Sequence, residues 1–414
     1  MQPIPQDRSL DSTLALLREG YAFVTNRCER YQTDVFQTRL MLQSTICMRG
    51  AEAARVFYDE DRFRRAEAAP GRVQKTLFGE GGVQGLDGEA HRRRKQMFMA
   101  LMTPEGIERL ADLMAEHWRA YREQWERMEE VVLFYEVREI LCRAVCAWTG
   151  VPLAEDEVQR RTNELAAMID GSGAVGPRHW RGRRARRSAE TWIGDLVGKV
   201  RAGEVKAPEG SALHAVAWYR DLDGELLGRR VAAVELLNVL RPTVAVARYV
   251  AFLAHALHEH PAWRRRLRAG DDEDIELFVQ EVRRYYPFFP FVAARVREDF
   301  VWNGYRFPVG TRTLLDLYGT NHDARIWDEP DAFRPERFDD RDGGAFDFVP
   351  HPSMAHYQNH RCPGEWITIA LMKRALRLLT TSMSYEVPGQ DLRIRLSRVP
   401  AIPKSRVVIR NVQR

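Results

Sequence analysis

A thiol that could serve as a nucleophile or a metal ligand stands in the segment HRCPGE, residues 360–365. The segment follows a stretch with little periodicity and precedes a helical pattern, so Cys362 is predicted at the entrance of a helix. Backbone N–H dipoles at that position, together with His360 and Arg361, favour the thiolate. Gly364 has no side chain, which leaves room for a flat, bulky group such as a haem. The alternative for a single cysteine is a buried, inert thiol.

A second pair with chemical potential, Arg241-Pro242, lies in the middle of the longest apolar helical pattern, residues 229–258. Proline removes a backbone hydrogen bond and kinks a helix. A buried arginine without a partner destabilises a fold strongly, so neither residue is expected in an ordinary core helix. The pair therefore predicts a functional cation, and an internal ion pair with an unidentified acid is the structural alternative.

Two basic segments could also contact anions. The first is one face of a helix predicted from Glu89, and it carries His91, Arg94 and Lys95. The second is the run of residues 178–187, which contains six arginines and could steer anionic ligands. For both segments the alternative is a solvated surface. The glycine-rich stretch that leads into the helix predicted from Glu89, residues 79–91, matches no phosphate-binding pattern and is predicted to be a flexible turn.

Paired charges and an apolar segment follow the long helix. Glu281 and Arg284 are three residues apart on one helix face, and Arg337 lies in the later segment PERF. Phe288 and Phe289 belong to an extended apolar stretch that could line a pocket.

The elements that must position these residues are mostly helical. Helical periodicity is predicted for residues 10–30, 50–65, 105–170 and 229–258 and for the stretch after Cys362. Strands are predicted in a hairpin at 35–50, in residues 299–320 with a turn at Asn303-Gly304, and in the C-terminal tail. The predicted fold class is mainly α with small β-sheets.

Composition limits the classes of function. The 414 residues are 45% hydrophobic, and 63 Lys and Arg against 58 Asp and Glu give a net charge of +5, which does not indicate nucleic-acid binding. The five cysteines have no paired spacing, which favours a reducing compartment. No secretory signal and no long uncharged apolar stretch are visible. We therefore expect a cytoplasmic protein without a membrane anchor.

Taken together, the helical Glu281-x-x-Arg284, Arg337 about fifty residues later and the Cys362 loop resemble the cytochrome P450 haem-thiolate proteins. The resemblance implies one domain over residues 1–414, with β-rich portions at about 30–50 and 290–320 and in the C-terminal strands. The implied fold is a triangular prism that holds haem b between the long central helix and the Cys-loop helix.

The same resemblance assigns roles to individual residues. Cys362 is the implied axial ligand of the iron, which suits the electron-donating character of a thiolate. Glu281, Arg284 and Arg337 are the implied members of a buried structural ion-pair network. Contacts of the haem propionates are implied for Arg65, His91 and Lys95.

Two residues of the central helix make the resemblance more specific, from the whole superfamily to one group within it. Monooxygenases of this superfamily carry an acid and a threonine where this chain has Arg241 and Pro242. With that pair the chain resembles the bacterial fatty-acid peroxygenases of the α-hydroxylase type, which use hydrogen peroxide directly and need no redox partner. In that group the arginine holds the carboxylate of a long-chain fatty acid, and the carboxylate replaces the missing acid as general acid–base. Hydroxylation is therefore expected at Cα or Cβ.

Further matches concern the product and the substrate channel. Gln84 stands where relatives that decarboxylate fatty acids to terminal alkenes often carry histidine, so hydroxylation is the expected main reaction and decarboxylation the alternative. The resemblance also implies a substrate channel lined by Phe78, Ile169, Phe288 and Phe289.

The chain departs from the family in the run before the cysteine. Relatives have a glycine-rich run there, whereas this chain has Pro352, Ser353 and Met354, with Asn359 at the upstream glycine position. Asparagine tolerates left-handed backbone angles better than other non-glycine residues, so the turn is expected to form.

Two other functions stay open at this point. One is a reductase-dependent monooxygenase of another substrate, which would use oxygen and electron donors and little peroxide. The other is a haem-binding or lipid-binding protein without turnover. Product formation from a fatty acid and hydrogen peroxide separates the three hypotheses.

Overall fold

Helices dominate the computed structural model, which describes residues 2–339, 341, 344–350 and 359–414. The α-helices are Thr13–Glu19 (α1), Phe23–Tyr31 (α2), Ala51–Phe57 (α3), Gly71–Val73 (α4), Gly88–Met99 (α5), Pro104–Trp125 (α6), Leu133–Thr149 (α7), Val158–Ser172 (α8), Pro177–Arg201 (α9), Ala212–Ala217 (α10), Arg229–Ala245 (α11), Ala247–Glu259 (α12), Pro261–Arg268 (α13), Asp272–Tyr285 (α14), Leu317–Asn321 (α15) and Glu365–Thr381 (α16). A π-helical turn, Gln74–Phe78, follows α4. Short 3-10 turns occupy Gly20–Ala22, Val83–Gly85, Glu155–Glu157 and Pro335–Phe338.

The strands form small sheets at the edge of the helical body. They are Val35–Leu40 (β1), Gln43–Met48 (β2), Phe63–Arg64 (β3), Val131–Val132 (β4), Phe291–Val296 (β5), Phe300–Trp302 (β6), Tyr305–Phe307 (β7), Arg312–Asp316 (β8), Ser384–Glu386 (β9) and Val408–Gln413 (β10). One sheet has the order β1-β2-β8-β5-β3, in which only the β2–β8 pair is parallel; β4-β10-β9 and β6-β7 form the others. The fold class predicted from the sequence, mainly α with small sheets, is confirmed.

Both predicted hairpins form. β1 pairs with β2 from Val35 opposite Met48 to Leu40 opposite Gln43. In the β6–β7 hairpin Asn303 and Gly304 have φ angles of 49° and 78°. Two positive φ angles in a two-residue turn match the right-handed twist of the flanking strands, which is why an Asn-Gly pair is favoured there.

The main hydrophobic core surrounds α11 and α12. α11 packs against α7, α8 and α9, and α12 packs against α7 and α16. The segment Arg229–Glu259 is long and apolar enough to cross a membrane by composition, but 89% of its most apolar window is buried inside the protein. It is therefore the core helix pair of the fold.

This helix pair differs from the continuous helix predicted for 229–258. α11 ends at Ala245 and α12 begins at Ala247, because the N–H of Val246 bonds to the carbonyl of Thr243 in a tighter, 3-10-like turn. Pro242 lies inside α11 and cannot donate a helical hydrogen bond. The break therefore follows one turn after the proline.

The helix predicted for residues 50–65 is also shorter than expected, since α3 ends at Phe57. Asp59 accepts a hydrogen bond from the N–H of Asp61 at 3.0 Å, which closes a local turn instead of continuing the helix. After that turn the chain enters β3, which pairs with β5.

The arginine-rich run 178–187 lies in α9 and is not a uniformly solvated segment. Arg181, Arg184 and Arg187 are exposed as predicted, whereas Arg186 is 2% exposed. α9 packs on α8 and α11, so one face of the run turns toward the interior.

Candidate active site

Cys362 lies just before α16, as the sequence predicted. Gly364 is the N-terminal cap residue of α16, and the N–H of Glu365 bonds to the carbonyl of Cys362 at 3.3 Å. The expected preference for the thiolate is not present in the protein alone, because burial raises the pKa of the Cys362 thiol.

The two residues that precede Cys362, His360 and Arg361, do not offset this effect of burial. The Arg361 guanidinium donates to the Glu365 carboxylate at 2.7 Å, so its charge is compensated. Burial lowers the pKa of His360 to about 4, so its ring is neutral at pH 7. Neither side chain supplies the free positive charge that the sequence suggested.

Lys95 fastens the cysteine loop to α5. Its ammonium group is buried and donates to the backbone carbonyl of Arg361 at 2.9 Å and to that of Asn359. Arg94, predicted on the same basic face, instead pairs with Glu235 of α11 at 2.7 Å. On this helix face Lys95 therefore contacts the cysteine loop, and Arg94 forms a structural ion pair with α11.

His91 contacts the same loop directly, and Arg65 is linked to it through Asp87. The His91 ring stacks on the His360 ring with centroids 3.8 Å apart. Asp87 accepts a hydrogen bond from the backbone N–H of Arg65 at 2.8 Å, and its carboxylate lies 3.5 Å from Nε2 of His360. The structure thus brings Arg65, His91 and Lys95 to one loop, although in the protein alone they contact protein groups.

Three features of this region suit a haem. Among the described residues, a Cβ added to Gly364 would meet nothing nearer than the Cys362 sulfur at 3.9 Å, so the glycine itself leaves space beside the thiol. From 239 to 254 every residue is buried except Pro242, which opens one exposed spot in the central helix pair. Haem iron needs only one ligand from the protein, and Cys362 stands beside the space at Gly364, just before α16.

Arg241 is a buried cation without a carboxylate partner in the described part of the chain. It is 5% exposed, lies on α11 and donates from Nη1 to the backbone carbonyl of Leu77. Burial, followed by the charge of Arg186, lowers the pKa of its guanidinium. The internal ion pair considered as the alternative is therefore not found among the described residues.

An apolar cluster adjoins this arginine. We call it the channel cluster; its buried members are Leu77, Ile169 and Ala245, and Val73, Phe78 and Phe288 pack against them. Three of the four predicted channel residues thus lie together. The fourth, Phe289, is 41% exposed and lies outside the cluster, so its role at the channel stays a prediction. In the extended stretch after α14 the side chains of Phe288 and Phe289 differ in direction, and Phe288 stacks on Tyr249 at 4.2 Å.

Gln84 lies in the 3-10 turn Val83–Gly85 and contacts α11. Its Oε1 accepts a hydrogen bond from the Asn238 amide at 3.1 Å, and the same amide donates to Glu235 at 3.0 Å. Glu235 is in turn paired with Arg94. The carboxylate of α11 that is nearest in sequence to Arg241 is therefore already bound to a cation and an amide.

The predicted ion-pair network holds the segments that precede the cysteine loop. Glu281 and Arg284 are fully buried and lie 2.7 Å apart, and Arg337 approaches Glu281 at 3.3 Å. Arg284 also donates to three backbone carbonyls, those of Asn321, Pro330 and Ala332. The network ties α14 to the PERF segment, and every donor named here has an acceptor.

One residue of the site, Arg186, was not predicted from the sequence. Its guanidinium donates to the Leu77 carbonyl at 3.0 Å and to Glu190 at 2.6 Å. One signal was present in the sequence, because small and apolar residues at helical spacing mark the buried face of α9, namely Gly182, Ala185, Ala189 and Ile193. Arg186 lies next to that face.

Part of the atypical run before the cysteine lies outside the described residues, including Pro352, Ser353 and Met354. Asn359 is described and is 6% exposed. Its side chain accepts a hydrogen bond from the N–H of Arg361 at 3.3 Å, which closes a local turn before Cys362.

Comparison with known proteins gives two kinds of match. The family model described as Cytochrome P450 matches residues 275–402. Cytochrome P450 71D18 from Mentha gracilis is 32% identical over 114 residues, which are 27% of this chain and 22% of that protein. The chain thus aligns with about a fifth of the length of this curated relative.

Solved structures match over the full length. Cytochrome P450SP alpha (CYP152B1), solved as a point mutant, is 51% identical, covers 98% of this chain and 99% of its own, and has a TM-score of 0.95. Cytochrome P450EX alpha (CYP152N1) with myristic acid is 47% identical over 100% of both chains, with a TM-score of 0.96. Cytochrome P450 OleT, solved as a point mutant in complex with arachidonic acid, is 35% identical over 100% of this chain and 99% of its own, with a TM-score of 0.95.

Proposed function

We propose that this chain, which belongs to the cytochrome P450 family, uses hydrogen peroxide to hydroxylate long-chain fatty acids beside their carboxyl group. The observation that carries the proposal is Arg241, a buried guanidinium with no carboxylate partner among the described residues. Burying a charge is costly unless it is paired, so the guanidinium favours an anionic ligand. The channel cluster beside it offers an apolar surface for an alkyl chain.

Arg241 fixes which carbons are presented for reaction. A guanidinium can hold a carboxylate through two parallel N–H···O bonds, which sets both the position and the orientation of the head group. The Leu77 carbonyl occupies one donor of Arg241, and the remaining donors are free for the ligand in the described structure. With the carboxylate held in this way, Cα and Cβ are the carbons nearest to the head group.

The same carboxylate can serve as the proton acceptor that α11 lacks. The Thr243 hydroxyl donates to the Val239 carbonyl at 3.0 Å, and Glu235 is bound to Arg94 and Asn238. Neither is free to move a proton at the Arg241 position. A carboxylate oxygen of the bound substrate, held by Arg241, is placed to accept a proton from hydrogen peroxide and to return it.

The residues around Cys362 hold the cofactor in this proposal. A bound haem b supplies the oxygen-transfer chemistry, with Cys362 as the ligand of its iron. Lys95, His91 and Arg65 lie around the cysteine loop and are the candidates to contact the propionates. Pro242, exposed on α11 next to Arg241, is the candidate from the central helix to line the same site.

Gln84 bears on the choice between hydroxylation and decarboxylation. Its amide is neutral and is held by Asn238, so it places no titratable group at this position. We therefore propose hydroxylation as the main reaction. Decarboxylation to a terminal alkene remains the second candidate, since OleT, solved with arachidonic acid, is a full-length neighbour at 35% identity.

The proposal includes a cytoplasmic location and independence from a redox partner. All five cysteines are free, which suits a reducing compartment. A proton acceptor carried in by the substrate suits direct use of peroxide, because no protein relay to reduced oxygen is then needed.

A matched pair of substrates tests the proposal. The haem-loaded protein is incubated with hydrogen peroxide and either myristate or its methyl ester, and products are identified by mass spectrometry. We expect hydroxymyristate from the acid and at least 100-fold less product from the ester, roughly the effect of losing a buried charge pair. Equal turnover of acid and ester, or turnover only with oxygen and an electron-donor system, would refute the proposal.

A further inference from the structure

The backbone carbonyl of Leu77 accepts hydrogen bonds from two guanidinium groups. Arg241 approaches it from α11, and Arg186 approaches it from α9 at 3.0 Å. The charge of Arg186 is compensated by Glu190 at 2.6 Å, whereas that of Arg241 has no carboxylate partner among the described residues. Two like charges that share one acceptor repel each other, and the unpaired one is the more responsive to an added anion.

The position of Arg186 is closely fitted. A Cβ at Gly79 would collide with the Arg186 guanidinium and with the Val234 side chain, and the φ of Gly79 is +86°. Arg186 also donates to the Phe78 carbonyl at 3.4 Å. Two successive carbonyls are thus held by one side chain, and they belong to the residues that carry the Leu77 and Phe78 side chains into the channel cluster.

We propose that Arg186 is a positioning residue for the substrate carboxylate, acting through Arg241. By holding the Leu77 carbonyl from the α9 side, Arg186 fixes the acceptor that orients Arg241. Its positive charge adds to the attraction for an anion at Arg241. This inference rests on the proposed function, because it concerns the same carboxylate.

The chain offers a control on the same helix. Arg187 follows Arg186 directly and is exposed, and no salt bridge of Arg187 is formed within the described residues. Arg187→Gln therefore removes the same charge from α9 without touching Leu77. A general effect of net charge on fatty-acid binding would appear in both variants, whereas positioning would appear only at Arg186.

A double-mutant cycle tests the inference. Dissociation constants of myristate and of the neutral 1-tetradecanol are measured by calorimetry for haem-loaded wild type, Arg186→Gln, Arg241→Gln and the double variant. We expect Arg186→Gln to weaken myristate binding about tenfold, the effect of one hydrogen-bond-sized interaction, and to change binding of the alcohol by less than about twofold. In the Arg241→Gln background the Arg186 substitution should have almost no further effect.

Each other outcome has a distinct meaning. Equal losses for acid and alcohol, or additive effects in the double variant, would make Arg186 merely structural and overturn the inference. A strong effect of Arg241→Gln with none from Arg186→Gln would overturn it and leave the proposed function intact. If Arg241→Gln binds myristate normally, the proposed function fails and this inference fails with it.

Arg186→Lys keeps the test possible if Arg186→Gln does not fold. Lysine retains the positive charge but lacks the guanidinium that donates to the Leu77 and Phe78 carbonyls together. We expect the same selective loss of myristate binding and the same loss of effect in the Arg241→Gln background. Normal myristate affinity in a folded Arg186→Lys variant would contradict the inference.

Discussion

Two buried arginine sites in this protein differ in how their charges are satisfied. Around Glu281, two arginines share one carboxylate, and Arg284 adds three backbone carbonyls as acceptors. On α11, Arg241 is buried to a similar extent but donates to a single carbonyl and has no carboxylate partner in the described chain. The first site is complete within the fold, and the second is incomplete until an anion binds.

The difference separates structure from function. A buried ion pair with all its hydrogen bonds formed holds segments together, and removing one member leaves an unpaired charge in the interior. A buried charge without a partner destabilises the fold, so its presence needs another reason. In this protein that reason is the capture of a carboxylate next to an apolar channel.

The largest effect is expected at the complete site. Glu281→Gln should lower the free energy of unfolding by about 3–5 kcal/mol, because Arg284 and Arg337 would lose their shared carboxylate. Urea unfolding of the haem-loaded protein measures this change. As a control, Glu329→Gln removes an exposed acid that pairs with Arg334 and should change stability by less than about 0.5 kcal/mol. Equal losses of stability in Glu281→Gln and Glu329→Gln would show that the Glu281 site does not stabilise the fold as a buried ion pair.

The incomplete site should show the reverse pattern. Arg241→Met should lower kcat/KM for myristate by roughly 10²–10³-fold, since a buried ion pair with the substrate is lost. Its free energy of unfolding should rise by on the order of 1 kcal/mol, because an unpaired buried charge is removed and no ion pair of the fold is broken. Arg248→Met is the matched control, since Arg248 is equally buried but pairs with Asp170. That variant should lose stability, and a loss of the same size in Arg241→Met would contradict our account.

A buried acid, Asp316, extends the comparison of the two arginine sites to a negative charge. Within the described residues, the Asp316 carboxylate receives hydrogen bonds from two neutral donors, the Thr25 hydroxyl at 2.9 Å and the N–H of Gly319 at 2.8 Å, and burial raises its pKa to about 7. The folded protein therefore binds the proton more tightly than the unfolded chain, whose value is near 4. Its stabilising contribution is complete below about pH 4 and is lost as the pH rises through 7.

Asp316→Asn mimics the protonated acid and tests this expectation. Above pH 7 the variant should be more stable than wild type by on the order of 2 kcal/mol, and the advantage should disappear toward pH 4. Urea unfolding over this pH range measures the difference. A constant difference at all pH values would show that Asp316 does not titrate as a buried, unpaired acid.

Much of the site follows from local sequence signals. The Cys362 position before a helix, the Glu281–Arg284 pair and the conflict between Arg241-Pro242 and an apolar helix are all visible as spacing or as broken rules. Each depends on residues close in sequence, so periodicity and capping preferences suffice to predict it.

Other features depend on distant contacts and could not be predicted in this way. The burial of Arg186 results from the packing of α9 against α11 and from the missing side chain of Gly79, which are far apart in sequence. Burial, which raises the pKa of the Cys362 thiol and lowers that of His360, reversed the expected effect on Cys362. Phe288 and Phe289 are chemically alike, and only tertiary packing decides which one joins the channel cluster.

The position of the hydroxyl group in the product shows whether Arg241 holds the substrate by its carboxylate. Myristate and hydrogen peroxide are incubated with the haem-loaded protein, and the hydroxylated acids are resolved by gas chromatography and mass spectrometry. If Arg241 binds the carboxylate, we expect oxygen to be inserted at C2 or C3, the carbons next to the head group. Hydroxylation in the middle of the chain or near its methyl end would contradict it.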